Sequence, residues 1–95
     1  MKPSTYQSRG HERLTSSNAS DTQTASIPRG TSAIEITVET TACRVTFDGS
    51  DPAGGIGLIV QAAQNPWFLP VGQGIVLKVV STGATTSVAQ IAYLQ

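Results

Sequence analysis

The chain has 95 residues, and six Lys and Arg side chains balance six Asp and Glu side chains, so the formal net charge is zero. This length allows one domain at most, and the balanced charge lacks the basic excess of a nucleic-acid-binding protein. The N-terminus has no apolar run typical of a signal peptide, and no segment approaches the ~18 apolar residues of a membrane span. We therefore expect a soluble protein made in the cytosol, with neither nucleic-acid nor membrane partners.

Residues 1–31 are predicted to form an extended polar arm, rich in Ser, Thr, Gln and Asn. Such a segment cannot bury enough apolar surface to offset an ordering entropy of ~1–2 kcal/mol per residue. We expect a partner protein to hold the arm; the alternative is that it wraps around its own domain. The arm residues expected to contact a partner are Tyr6, Arg9, Arg13 and Leu14.

Residues 32–95 are predicted to form a β-domain. Ile34, Ile36 and Val38 alternate with polar residues, which is typical of a half-buried strand. Residues 43–47 form a second predicted strand, and the two are expected to pair as a hairpin or as neighbours. The Asp48-Gly49 sequence that follows predicts a tight turn.

Three later segments complete the predicted sheet structure. Residues 58–63 suit a strand or a helical turn, and the β-branched pair within them favours the strand. Residues 65–70 contain two prolines and cannot form a central strand. Residues 75–80 and 87–94 are further strand candidates. This pattern predicts an all-β fold, a small antiparallel β-sandwich or barrel of about five to seven short strands.

The predicted core is small, which favours self-association. A domain of ~60 residues buries only about 60% of its unfolded surface and is marginally stable alone. Cys43 is the only cysteine, so no intrachain disulfide can form, and a buried free thiol is expected. We therefore expect a homo-oligomer such as a trimer.

The sequence offers little catalytic or metal-binding chemistry, so we expect no catalytic, cofactor or metal site. His11 is the only histidine and lies in the polar arm, away from any predicted nucleophile. Asp48 and Asp51 lack the ligand spacing of a calcium loop and are expected to stabilise a turn. Trp67 and Phe68 fill the core or, alternatively, contact a neighbouring subunit, because Trp is enriched at interface hot spots.

Residues 45–52, Val-Thr-Phe-Asp-Gly-Ser-Asp-Pro, are followed by Gly57-Leu58, the apolar residues 75–80, Gly83 and the closing residues 88–94. Together they resemble small β-sandwich structural proteins of tailed-bacteriophage virions, which decorate heads or form parts of fibres and tails. The resemblance covers about residues 35–94, and its most specific part is the turn at residues 47–52. It implies no catalytic residues.

The function expected from this resemblance is that of a non-enzymatic virion protein, first of all a capsid decoration or cement protein on the outer surface of the head. The β-domain would oligomerise, and the arm would bind the coat protein. The alternatives are a tail, fibre-base or head–tail joining component, or a carbohydrate- or host-binding module with Trp67 as a stacking platform.

Overall fold

The computed structural model describes residues 8–39, 41–61, 66–71, 75–83 and 85–95. Its regular structure consists of eight strands and one 3₁₀ turn, Pro52–Gly54, between the fourth and fifth strands. The strands are β1 (Ser8–Ser16), β2 (Gln23–Thr24), β3 (Ala33–Glu39), β4 (Cys43–Thr46), β5 (Leu58–Val60), β6 (Trp67–Pro70), β7 (Lys78–Ser81) and β8 (Ser87–Leu94). The all-β prediction is therefore confirmed, with eight strands in place of the expected five to seven.

The strands form two antiparallel sheets of four strands each. The strand order is β1-β8-β3-β6 in the first sheet and β2-β7-β4-β5 in the second. Both sheets contribute side chains to one hydrophobic core, which identifies a sandwich-like arrangement. Ile34, Ile36 and Ile91 enter this core from the first sheet, and Val45 and Val79 enter it from the second.

The N-terminal segment differs from the expected arm over its described part. The strand β1 pairs with β8 from Ser8 to Ser16, and Leu14 is a buried core residue with 7% of its surface exposed. The other inward-facing positions of β1 include Glu12 and Ser16, whose side chains form hydrogen bonds with other segments of the chain. The sequence pattern did not predict β1, because the strand has few apolar residues. Its inward-facing polar groups have hydrogen-bond partners in distant segments, which a sequence pattern does not reveal.

The predicted pairing of residues 34–39 with residues 43–47 is wrong. The strand β3 pairs with β8 on one edge and with β6 on the other, so neither of its edges is free for β4. The strand β4 instead pairs with β5 and β7 in the opposite sheet. The two segments thus face each other across the core, and both of their apolar faces are covered.

The later strands follow the sequence pattern with local shifts. The strand expected in residues 58–63 is confirmed over Leu58–Val60, the proline-flanked segment is the edge strand β6, and β8 matches residues 87–94. The strand predicted for residues 75–80 begins only at Lys78, because Val76 forms an isolated bridge with Asp48 and Leu77 accepts a hydrogen bond from the Ala25 N–H.

The loop between β4 and β5 covers part of the outer face of the second sheet. Its 3₁₀ turn approaches both β4 and β7, and Pro52 is buried there. Thr46 and Val80 point away from the core but are only 5% and 2% exposed. The loop accounts for their burial, and it leads the chain to β5.

Candidate interaction site

The chain entering β5 exposes three large apolar side chains. Ile56, Leu58 and Ile59 have 57%, 56% and 44% of their surfaces exposed. Single exposed apolar residues are ordinary, but three within four consecutive positions form a patch. We call Ile56, Leu58 and Ile59 the β5 patch. Val76, with 40% of its surface exposed, lies outside β5 and forms an isolated bridge with Asp48, after β4.

The register of β5 places its exposed side chains on both faces of the sheet. Leu58 lies opposite Val45, a buried core residue, and therefore points to the inner face at the open edge of the sandwich. Ile59 lies opposite Arg44 and points to the outer face. Among the described strands β5 pairs only with β4, so it is an edge strand of the second sheet.

Two features of the preceding loop hold β5 in place. Gly57 has a φ of +107°, and a Cβ atom at this position would lie 2.2 Å from the Val45 carbonyl oxygen. Only glycine allows this close approach of the two backbones. The Arg44 guanidinium also donates hydrogen bonds to the carbonyl oxygens of Gly55 and Gly57, at 3.3 and 3.5 Å. The patch is therefore attached to a defined backbone path.

Trp67 and Phe68 were predicted to act together, but the structure places them on opposite faces of β6. Trp67 pairs with Ile36 and points inward, where its ring lies 5.8 Å from the ring of Phe47. Phe68 pairs with Glu35 on the outer face of the first sheet. Both aromatic side chains are half-buried. Trp67 thus packs at the margin of the core and connects the edge strand β6 of the first sheet to the residue that follows β4 of the second sheet.

The arm residues expected to bind a partner also separate. Arg13 is exposed on the outer face of the first sheet, the same face that carries Phe68. Leu14 is in the core, so it is not available to a partner while β1 is in place. Arg9 lies in β1, and Tyr6 lies outside the described residues.

A shallow groove of about 200 Å³ crosses the outer face of the first sheet. Its polar lining includes His11, Glu35, Thr37 and Gln90. Ala92 pairs with both His11 and Glu35, which places these two residues on strands that are two spacings, or roughly 10 Å, apart. The groove therefore offers hydrogen-bonding side chains from three neighbouring strands, β1, β8 and β3.

Cys43 is a structural thiol in the core. It is fully buried, and its Sγ atom lies 2.8 Å from the Ser87 Oγ atom of the opposite sheet. The Ser87 hydroxyl donates to the Thr41 carbonyl oxygen at 2.5 Å. Burial raises the pKa of the Cys43 thiol above its usual range. A reactive nucleophile needs the opposite shift and access to solvent.

The two aspartates of the sequence motif stabilise the loop. Asp48 accepts a hydrogen bond from the Ser50 N–H at 3.0 Å, which lowers the pKa of its carboxyl group. Asp51 accepts from the Thr22 hydroxyl at 2.6 Å and from the Ala53 N–H at 3.0 Å, and these bonds lower its pKa. Gly49 has a φ of +88°, as expected for the predicted turn.

Within the described residues, no group of three or more His, Cys, Asp or Glu side chains is placed to hold a metal ion. No helix among these residues is long and apolar enough to span a membrane. The chain matches no protein-family model, and comparisons with curated proteins and with solved structures also return no match. The candidate site therefore depends on the geometry alone.

Sequence reasoning missed the β5 patch. Leu58 and Ile59 belong to an apolar run, and such a run usually predicts a buried strand. The run is exposed here because β5 lies at a sheet edge, and strand order depends on contacts between distant segments. The one local signal was the glycine-rich sequence before Leu58, which predicted an irregular chain path.

Proposed function

We propose that this chain is a non-enzymatic structural protein of a bacteriophage virion, specifically a decoration protein that binds coat subunits on the outer surface of the head. The observation that carries the proposal is the environment of residues 45–52, which also carry the sequence resemblance. Asp48 and Asp51 act as turn-forming groups, and the exposed large side chains that follow are apolar. This combination favours a surface that contacts other proteins over a cleft that performs chemistry.

The proposed contact with the coat protein is the outer face of the first sheet. This face carries Arg13 and Phe68, two of the residues that the sequence selected. Arg13 supplies an exposed positive charge, and the half-buried Phe68 supplies an aromatic surface. Both residue types are enriched at protein interfaces. The polar groove between their strands would accept a polar segment of the coat.

The proposed mechanism is stabilisation by mass action. A protein that binds the assembled shell and not the separated coat subunits shifts the equilibrium toward the shell. Many copies on a symmetric lattice, linked to one another as a homo-oligomer, add avidity. Neither effect requires a cofactor or a chemical step.

The test is co-sedimentation of the full chain with purified phage heads and, separately, with purified tails. We expect binding to heads, with greater resistance of the heads to heat. Deleting residues 1–31 is unsuitable as a test, because the deletion removes β1 and β2 from the two sheets. Reversing the charge of an exposed residue is milder, and Arg13→Glu is expected to weaken binding at least tenfold.

The matched control is Arg29→Glu, which makes the same charge change at an exposed position in the turn before β3. It is expected to bind heads like the unmodified chain. Equal loss in both variants would indicate a general charge effect and would count against the proposed face. Binding to tails alone would assign the protein to the tail or joining class, and binding to neither particle would overturn the virion proposal.

The carbohydrate-binding alternative has less support. A stacking platform needs a solvent-facing aromatic ring, whereas Trp67 points inward and packs against Phe47.

A further inference from the structure

We propose that β5 is a self-association edge, through which two copies of this chain pair their β5 strands antiparallel about a two-fold axis. The second sheets of both copies would then form one continuous eight-stranded sheet. This inference concerns the isolated chain and does not depend on the virion proposal.

The first argument is the exposure of apolar side chains on both faces of one strand. Leu58 lies on the inner face of β5, and Ile59 lies on the outer face. A partner that docks on either face of the sheet would cover only one of them. A strand added alongside β5 has its own side chains on both faces and therefore covers both residues.

The second argument is that the other sheet edges carry features that oppose strand addition. In β1, Arg13 is charged and Glu12 is a charged residue on the inward face. The strand β2 has only two residues. The strand β6 ends in Pro70, and its other three residues, which begin with Trp67, are partly buried. By contrast, residues 56–61 contain no charged residue and no proline. Among the described edges, β5 is the one with exposed, uncharged and apolar residues.

The third argument identifies the partner as a second copy. Antiparallel pairing centred on Ile59 places this residue opposite its own equivalent, with Leu58 opposite Val60 of the other copy. Directly opposite residues share a face, so each of the three pairs within β5 is apolar. A two-fold contact of this kind is self-complementary and closed. The same edge therefore serves both copies.

Electrostatics permit this pairing of identical copies. Arg44 is the charged neighbour of Ile59 on the outer face, and its guanidinium is hydrogen-bonded to carbonyl groups of its own loop. The two Arg44 residues would stand three strand spacings apart, about 14 Å, which exceeds the Debye length of ~8 Å at physiological ionic strength. Their repulsion is therefore largely screened.

The first test is sedimentation equilibrium of the full chain over a concentration series. We expect a reversible increase from the chain mass of 9.9 kDa to twice that mass. Ile59→Lys places two like charges opposite each other across the axis and is expected to weaken the association at least tenfold. Val76→Lys is the control, because it adds the same charge at an exposed apolar position outside β5 and should leave the association unchanged.

The second test measures the register and does not depend on the stability of a charged variant. Opposite residues of an antiparallel pair have Cα atoms about 4.5–5.5 Å apart, which is within disulfide range. Ile59→Cys should therefore form an intermolecular disulfide under mild oxidation, while the buried Cys43 stays reduced. Leu58→Cys, displaced from the axis, should cross-link much more slowly.

A chain that stays monomeric up to about 1 mM would overturn the proposal, as would a dimer that Ile59→Lys leaves intact. Cross-linking at Leu58→Cys in preference to Ile59→Cys would reject the stated register. A trimer would also count against it, because a two-fold contact closes at two copies. Absence of binding to both heads and tails, with dimerisation preserved, would overturn the virion proposal alone.

Discussion

The two long sides of the sandwich are held together by different interactions. On the side of β1 and β2, polar groups connect the sheets: Ser16 Oγ accepts a hydrogen bond from the Ser81 N–H at 2.9 Å, and Glu12 accepts from the Ser26 N–H at 2.9 Å. On the side of β5 and β6, the connection described is the contact between the Phe47 and Trp67 rings. We call these the polar side and the apolar side.

The difference between the sides indicates which of them has surface that a partner could still bury. On the polar side, the donors and acceptors described above are already paired with each other, so these groups gain little from contact with a partner. On the apolar side, the β5 patch remains in water although burial of such side chains is favourable by ~25 cal/mol per Å². The apolar side is therefore the place where a partner gains most, and substitutions on the two sides should have separable effects.

The largest expected effect comes from Gly57→Ala on the apolar side. A Cβ atom would lie 2.2 Å from the Val45 carbonyl oxygen, and the φ of +107° is unfavourable for alanine. We expect the free energy of unfolding to fall by about 3–4 kcal/mol, since β5 must move away from β4. Urea unfolding followed by Trp67 fluorescence measures this change.

The control for this substitution is Gly55→Ala. Gly55 also has a positive φ, +85°, but a Cβ atom at this position would meet no other atom within 4 Å. Only the backbone strain of about 1–2 kcal/mol should then reduce the free energy of unfolding. Similar losses in the two variants would show that the close approach to Val45 does not hold β5 in place.

The sequence predicted most of the fold where strands alternate apolar and polar residues. Ile34, Ile36 and Val38 in β3 are buried as their alternation requires, and β8 has the expected bounds. The prediction failed in β1, where Glu12 and Ser16 occupy inward positions. Periodicity counts such residues as exposed, whereas hydrogen bonds to distant partners allow them to face inward, with Ser16 buried and Glu12 half-buried.

The candidate site was less predictable than the fold. Trp67 was selected as a contact residue because Trp is enriched at interface hot spots, and Leu14 because it lies in the polar arm. Trp67 nevertheless packs beside the core, and Leu14 lies in it. Ile59 was overlooked because its neighbours are also apolar. Whether an apolar strand is central or at an edge depends on the order of strands in the sheet, and β4, β5 and β7 are joined by pairings between distant segments.

On the polar side, Ser16→Ala should have an intermediate effect. The Ser16 hydroxyl accepts from the Ser81 N–H and donates to the Asp21 carbonyl oxygen at 2.6 Å, and its residue is only 1% exposed. Alanine would leave the buried Ser81 N–H without this acceptor, which costs about 2 kcal/mol.

Ser17→Ala is the control, because Ser17 is exposed and its substitution should change the free energy of unfolding by less than about 0.5 kcal/mol. Dimer formation should be unchanged in both folded variants, and its loss in Ser16→Ala would show that the two sides are coupled.

The smallest effect at neutral pH is expected for Tyr93→Phe, also on the polar side. The Tyr93 hydroxyl donates to Glu12 at 2.5 Å, and removing this bond should lower the free energy of unfolding by about 1 kcal/mol. Burial, reinforced by the bond to Glu12, raises the pKa of Tyr93 far above its usual value. Above about pH 10 the unfolded chain therefore loses this proton while the folded chain keeps it. The contribution of Tyr93 to the free energy of unfolding is full below about pH 10. It declines as the pH rises further, by up to about 1.4 kcal/mol per pH unit. Urea unfolding of both proteins between pH 8 and pH 11 should show the stability gap closing above pH 10, because the phenylalanine variant lacks this titration. Parallel curves over that range would mean that Tyr93 ionises equally in both states and that the hydroxyl is not held by Glu12 as described.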